Sequence, residues 1–350
     1  MKGIVNTYLN LRTGAPRVNA ENPSYYKPGD EVNIVDSITG DRYRDNDVWL
    51  QLNNNGYVWS GGVNGFQNIV HKESKTTINP SVYPKQIRLF GIDHLWMKSM
   101  GEDIDIAILD TGVDKNHFNI KHAVVSTKNF LEKDDTNVED YCGHGTHCAG
   151  IIAARGMNNI FGVAPKANLH IGKITHFVSD GISNSILLNA LDHYINKVDI
   201  ISLSGGLREE DVELSEKILA SKSTKTIIVA AIGNDKDRQM GDYPAENNEC
   251  ISVGAIGLNE IDEIFLWEKT IRSQKLKICA PGYKITSTDL YNQHKERTGT
   301  SMACPYVAGL FALLHGTFKP LSKTELMSKF SSLLHTYKAD NYSYKVFSAI

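Results

Sequence analysis

A chain of 350 residues and 38.9 kDa is long enough for two domains, or for one large domain with an appendage. Its 37 Lys and Arg against 40 Asp and Glu leave a net charge of −3, which excludes a strongly basic nucleic-acid clamp or an acidic disordered tail as whole-chain readings. With 41% hydrophobic residues the chain can bury a core, so it is expected to be globular, and it contains no run of about 18 apolar residues to span a membrane.

The opening Met1–Thr7 lacks the apolar run of a signal peptide, so the expectation is a cytoplasmic protein, the alternative being a secreted one trimmed of its leader. Five cysteines at scattered positions (142, 148, 250, 279 and 304) are not a disulfide framework and fit a reducing compartment.

Residues 1–63 read as short strands broken by turns. Leu9–Arg12 and Glu31–Val35 alternate apolar and polar, and Lys27-Pro28-Gly29-Asp30 has turn chemistry. Val48–Leu52 and Tyr57–Trp59 flank Asn53-Asn54-Asn55-Gly56, a hairpin signal. Short strands this closely spaced predict a small all-β barrel. Its Tyr43, Trp49, Tyr57 and Trp59 either form a ligand groove or fill the barrel core. Residues 64–82 are a polar stretch without period and read as a linker.

From residue 83 onward strands alternate with helical patterns, which predicts an α/β domain with a mainly parallel sheet over 83–350. Ile104–Leu109, Ile200–Leu203 and Thr226–Ala231 are short apolar strands, and Ser185–Ile195 has the spacing of a crossover helix.

Three segments carry chemistry. The strand from Ile104 runs into Asp110-Thr-Gly-Val-Asp114, so Asp110 falls at a strand's carboxyl end, where parallel sheets bind ligands. Cys142-Gly-His-Gly-Thr-His-Cys148 places His144 where a close-packed helix can start. Cys142, His144, His147 and Cys148 are all metal-ligand types, but their spacing does not reproduce structural zinc, and no metal site is assigned. Gly299-Thr-Ser-Met-Ala-Cys-Pro305 puts Ser301 at a helix N-terminus, with Pro305 expected in the first turn. Backbone N–H groups there favour an anion formed on an attacked carbonyl. A serine hydroxyl needs a base, and the base needs a carboxylate to orient it; Asp110, His144 and Ser301 supply all three roles.

The three segments, with D-T-G-V-D, G-H-G-T-H-C-A-G and G-T-S-M-A-x-P in that order, resemble the subtilisin-like serine peptidases over roughly residues 83–350. The resemblance implies a three-layer fold and a serine endopeptidase acting on proteins or peptides. It also implies that Asn234, closing Ile228-Val-Ala-Ala-Ile-Gly-Asn234, donates to the oxyanion beside the Ser301 N–H. Substrate would lie extended between the edge Leu203-Ser204-Gly205-Gly206 and a second edge near Ser179–Ile182, including Gly181. The wording of residues 1–63 is similar to the bacterial Src-homology-3-like domain.

Departures from the family's wording carry expectations of their own. Tyr306, in place of a usual His, is expected to alter helix packing only; Ile232, in place of a small residue, is expected to crowd the pocket. Asn119 stands where members with a strong calcium site carry Asp, and the loop Arg155–Phe161 is shorter, so that calcium site is expected to be degraded and no cofactor is expected for catalysis. Residues 1–82 do not look like the family's inhibitory prodomain, so restraint is expected from a regulatory partner, the linker or a misformed site. The alternative reading is a catalytically silent fold that only binds; the presence of all four chemical residues argues for the enzyme. Neither a nucleic-acid nor a membrane partner is expected.

Overall fold

A computed structural model describes residues 2–12, 24–43, 46–54, 56–64, 83–132 and 136–349. The chain forms two compact units, Met1–Ile78 and Asn79–Ile350.

Among its described residues the first unit is built of β-strands, with one 3-10 turn at Ser60–Gly62. Strands β1 (Lys2–Val5), β4 (Glu31–Tyr43), β5 (Asn46–Leu52), β6 (Tyr57–Trp59) and β7 (Val63–Asn64) form one antiparallel sheet in the order β6-β5-β4-β1-β7. Strands β2 (Leu9–Leu11) and β3 (Ser24–Tyr26) pair separately, and an Arg12–Tyr57 bridge joins the segment after β2 to β6. The expected turn at Lys27–Asp30 forms: Gly29 has φ +96 and Lys27 N donates to Asp30 Oδ2 at 2.7 Å; Asn55 of the other lies outside the described residues. Alternation along the strands sends Val5, Leu9, Val32, Ile34, Leu50, Leu52 and Val58 into one core. Trp49 is 3% exposed and pairs across the sheet with the partly buried Trp59, which packs against this core; Leu50 and Val58, their neighbours along the strands, are the residues inside it. The Tyr43 side chain and the linker 65–82 lie outside the described residues.

The second unit is built on a sheet ordered β9 (Val124–Asn129), β10 (Asn168–Lys173), β8 (Asp105–Asp110), β11 (Ile200–Leu203), β12 (Ile227–Ala231), β13 (Cys250–Leu258), β15 (Ile278–Pro281), β19 (Tyr342–Phe347), β18 (Leu334–Ala339). All neighbours from β9 through β19 run parallel; β18 is antiparallel to β19, and β14 (Ile264–Leu266) pairs antiparallel to β13. Strands buried on both faces explain the continuous apolar runs that marked them in the sequence. Ile106 and Ile108 of β8 face one core with Val229 of β12; Ala107, Leu109, Ile201 and Ile228 face another.

Helices cover both faces, giving three layers. On the first face, α6 (Thr300–Thr317) packs across β11, β12, β13 and β15, with α3 (His144–Ala153) against it and α7 (Lys323–Ser332) beside it. On the second, α4 (Asn184–Tyr194) and α5 (Val212–Ala220) pack together, burying Leu187, Leu191, Leu214 and Ile218. The short helices α1 (Lys85–Arg88) and α2 (Ile92–Trp96) lead into the domain and bury Ile87, Phe90 and Leu95 in the first core. A hairpin of β16 (Ile285–Thr288) and β17 (His294–Arg297) precedes α6 and packs on α3. Among the described residues no helix is long and apolar enough to cross a membrane.

Candidate active site

Parallel strands end together, so the segments leaving β8, β11 and β12 meet at one edge of the sheet. Asp110 is the last residue of β8; Ser204 comes just after β11, and Asn234 soon after β12. The N-termini of α3 and α6 arrive at the same edge, bringing His144 and Ser301. A Cβ on Gly145 would collide with the Gly112 carbonyl, so glycine is what lets α3 approach the end of β8 closely enough for His144 to meet Asp110.

His144 Nδ1 lies 2.7 Å from Asp110 Oδ1, with both side chains buried. Thr111 N also donates to Oδ1, at 2.7 Å, whereas Oδ2 is buried without a partner. Burial alone would push the His144 pKa down; the charge of Asp110 and its hydrogen bond more than reverse this, and the net pKa is raised. Arg297 opposes that rise and Asp140 supports it.

Asp140 and Arg297 hold the approach to His144, and the sequence reading missed both. Asp140 accepts from Thr111 Oγ1 (2.9 Å), Gly143 N (2.9 Å), Thr146 N (2.9 Å) and Thr146 Oγ1 (2.7 Å). Burial opposes its charge, but these bonds keep its pKa below the usual carboxylate range. An acidic residue placed three before a glycine and six before a threonine at a helix start was the available signal. Arg297 Nη2 donates to Cys142 O at 2.8 Å and contacts Asp289 at 3.4 Å. Nothing local in the sequence marks that contact.

Ser301 Oγ donates to Ser204 O at 3.1 Å, and no hydrogen bond joins it to His144. Such hydrogen bonds are often loose or absent until substrate is bound. Asn234 Oδ1 accepts from Thr300 N and Thr300 Oγ1, each at 2.9 Å, which fixes the amide and leaves Nδ2 free to donate. The point where a Cβ on Gly299 would sit is 3.5 Å from Asn234 Nδ2 and 3.7 Å from Ser301 N. Asn234 Oδ1 is also 3.7 Å from that point, so the Asn234 amide and the Ser301 N lie beside the same glycine.

Ser204, Gly205 and Gly181 line a cleft of about 720 Å³ together with Asn234 and Ser301. Leu203 does not: its side chain is fully buried in the α4–α5 core, because alternation along β11 turns it to that face. Ile232 does not crowd the cleft as expected; it packs with Ala230, Ala245 and Ile271 in a small core of its own, and the cleft wall is made by its neighbours Ala231 and Gly233. Pro305 is the sixth residue of α6, not in its first turn.

Among the described residues only Asp110, His144 and Cys148 bring metal-type atoms together. Cys148 is a buried free thiol with Sγ 3.9 Å from His144 Nδ1, and burial pushes its pKa well up. His147 turns away: its Nε2 reaches the carbonyls of Ile285 (3.1 Å) and Lys295 (2.9 Å), and burial pushes its pKa down to about 3. Cys142 and His147 therefore do not join His144 and Cys148 around one point. Tyr306 is buried, donates to Gln86 O at 2.6 Å and meets Phe90 edge-on, so it ties α6 to the segment leading into the domain.

The Subtilase family profile matches residues 101–341. The chain is 35% identical over 245 residues to the Major intracellular serine protease of Bacillus subtilis (strain 168), spanning 66% of this chain and 74% of that protein. It is 35% identical over 240 residues to the Intracellular serine protease of Paenibacillus polymyxa, spanning 66% and 72%. Against Subtilisin DY of Bacillus licheniformis it is 30% identical over 237 residues, spanning 66% and 84%.

Proposed function

The chain belongs to the subtilase family and is a subtilisin-like serine endopeptidase; from that premise we propose that it cleaves protein or peptide substrates through an acyl-enzyme on Ser301. Asp110 orients His144 through Nδ1, which leaves Nε2 as the base. Ser301 Oγ rotates away from Ser204 O, gives its proton to Nε2 and attacks the scissile carbonyl. The carbonyl oxygen becomes an oxyanion between Asn234 Nδ2 and Ser301 N. His144 then protonates the leaving amine, and a water activated by the same imidazole releases the acid. Substrate lies between the Ser204–Gly205 edge and the Gly181 edge.

The observation that carries this reading is the buried 2.7 Å contact of His144 with Asp110, at the sheet edge where Ser301 and Asn234 also lie. A fluorophosphonate probe tests it. Labelling of Ser301, lost in Ser301→Ala, is expected; absence of labelling under every condition would reduce the domain to a binding fold.

No cofactor enters this chemistry. The residues around Asn119 do not fit a strong calcium site: the amide Nδ2 donates to Met157 O (2.9 Å) and Ile160 O (3.3 Å), so an N–H faces carbonyls that a cation would need. Asn119 Oδ1 is likewise taken by Arg155 N at 2.9 Å. By analogy with relatives named intracellular proteases, action inside the cell is proposed. The first unit is assigned recruitment of a substrate or of a regulatory protein.

A further inference from the structure

The wall of the cleft next to Ser301 carries a charge that the endopeptidase reading does not use. Asp242 lines the same cleft as Ser204, Gly205, Asn234 and Ser301. Its position is fixed by backbone: Asp242 N donates to Ile232 O at 2.9 Å, and the next residue bridges to Leu207 in both directions (2.7 and 2.8 Å). The side chain lies against Gly206, next along the Ser204–Gly205 edge, and against Gly233, beside Asn234. A Cβ on Gly206 would be 2.9 Å from Asp242 Cβ, and a Cβ on Gly233 would be 2.8 Å from Asp242 Oδ2.

The two carboxylate oxygens are used differently. Oδ1 faces both arginines: Arg238 Nη1 donates to it at 2.5 Å, and the exposed Arg208 Nη1 stands 3.9 Å away. Oδ2 accepts from no described residue, though the carboxylate is only 22% exposed. An ionised carboxylate has acceptor capacity for several donors, so one oxygen of Asp242 is left for a ligand. The charged groups lining the cleft are Arg208, Glu209, Glu210 and Asp242, with Arg238 behind. Acid exceeds base even after Arg238 is counted.

We infer that Asp242 is a specificity-determining residue, and that this endopeptidase prefers a Lys or Arg side chain immediately before the scissile bond. The inference rests on the proposed endopeptidase activity. A Lys or Arg filling the cleft donates to Oδ2 and so replaces the hydration of that oxygen. A Leu or Phe removes the same hydration and leaves that oxygen of a largely buried carboxylate unpaired, so the discrimination comes from that penalty as well as from attraction. Sites that pair a buried polar group strongly reject analogues lacking it; for a partly exposed carboxylate already sharing one oxygen, the preference is expected to be roughly 10–100-fold in kcat/KM.

The test is a set of peptides identical except for Lys, Arg, Gln, Leu, Phe or Glu before the cleaved bond, with kcat/KM measured for each. The wild-type protein is expected to rank Lys and Arg above Leu and Phe, and Glu last. In Asp242→Asn the Lys-to-Leu ratio collapses toward one; in Arg238→Gln, where Oδ1 is also freed, it rises. A measurement that needs no variant to fold uses the wild-type protein alone: a peptide aldehyde ending in Arg inhibits more tightly than its Leu counterpart. Wild type that hydrolyses the set with Leu or Phe first, or with no ranking, overturns the inference and leaves the endopeptidase reading standing. Wild type that hydrolyses nothing and takes no fluorophosphonate label overturns both.

Discussion

Ser204 and Ser301 are tied to each other twice: Ser301 Oγ donates to Ser204 O at 3.1 Å, and Ser204 Oγ donates to Ser301 O at 2.8 Å. The second bond is a consequence of Pro305. In a regular helix the N–H of residue 305 would bond the carbonyl of residue 301, and proline has none. The carbonyl is taken instead by Ser204 Oγ, with Cys148 Sγ at 3.5 Å. The backbone of Ser301 is thereby anchored to the segment after β11, and for Ser301 to act as the proposed nucleophile its hydroxyl must break the first bond to reach His144.

Removing that anchor has a specific consequence. Ser204→Ala leaves the Ser301 carbonyl with only a weak thiol donor, and a stability loss of about 1–3 kcal/mol is expected from a buried acceptor deprived of its partner. Thermal or denaturant unfolding of wild type and variant measures it; an unchanged midpoint would show that water replaces the hydroxyl.

Ser301→Ala, His144→Ala and Asp110→Ala are each expected to lower kcat by at least about 10³-fold with the fold retained, and the double variants to add little, because the three act as a unit. Circular dichroism and peptide hydrolysis check this together. Near-native turnover in Ser301→Ala would remove the nucleophile assignment.

Asn234→Ala removes Nδ2 and is expected to cost about 10²–10³ in kcat with KM little changed, since the donor acts on charge that develops only in the transition state. A loss falling mainly on KM would instead assign Asn234 to substrate binding.

Activity requires a neutral His144, so kcat/KM rises with pH through its pKa, which Asp110 holds above the ordinary value of 6.5. In Asp110→Asn the main raising charge is gone, leaving burial and Arg297 against Asp140 alone, so the acid limb of whatever activity remains is expected at lower pH. A limb that stays in place would mean that another group sets it.

Cys148 lies in van der Waals reach of the His144 imidazole but is fully buried with a raised pKa, so bulky alkylating reagents are expected to react slowly. A small mercurial that enters should displace His144 and abolish hydrolysis, and Cys148→Ala or Cys148→Val should resist it while remaining active. Unchanged sensitivity would point to Cys142, the partly exposed cysteine, or to Cys304.

What the sequence determined by itself was local and chemical. Asp110, His144 and Ser301 sit in short segments whose glycines and small residues are dictated by strand ends and helix starts, so each could be placed at a strand end or helix start; their proposed roles came from the three segments taken together and from the resemblance they carry. The parallel sheet was legible because strands buried on both faces must be apolar throughout, and the crossover helix α4 because one face must be.

What only the tertiary structure decided depends on neighbours far along the chain. That Leu203 turns away from the cleft and Ile232 into a separate core is set by which face each residue presents once its neighbours pack. That Pro305 frees the Ser301 carbonyl for Ser204, that Arg297 grips Cys142, and that Asp242 lies against Gly206 and Gly233 are contacts between segments with no shared local pattern. Local propensity fixes where a backbone turns; side-chain partners are fixed by packing, which no single segment contains.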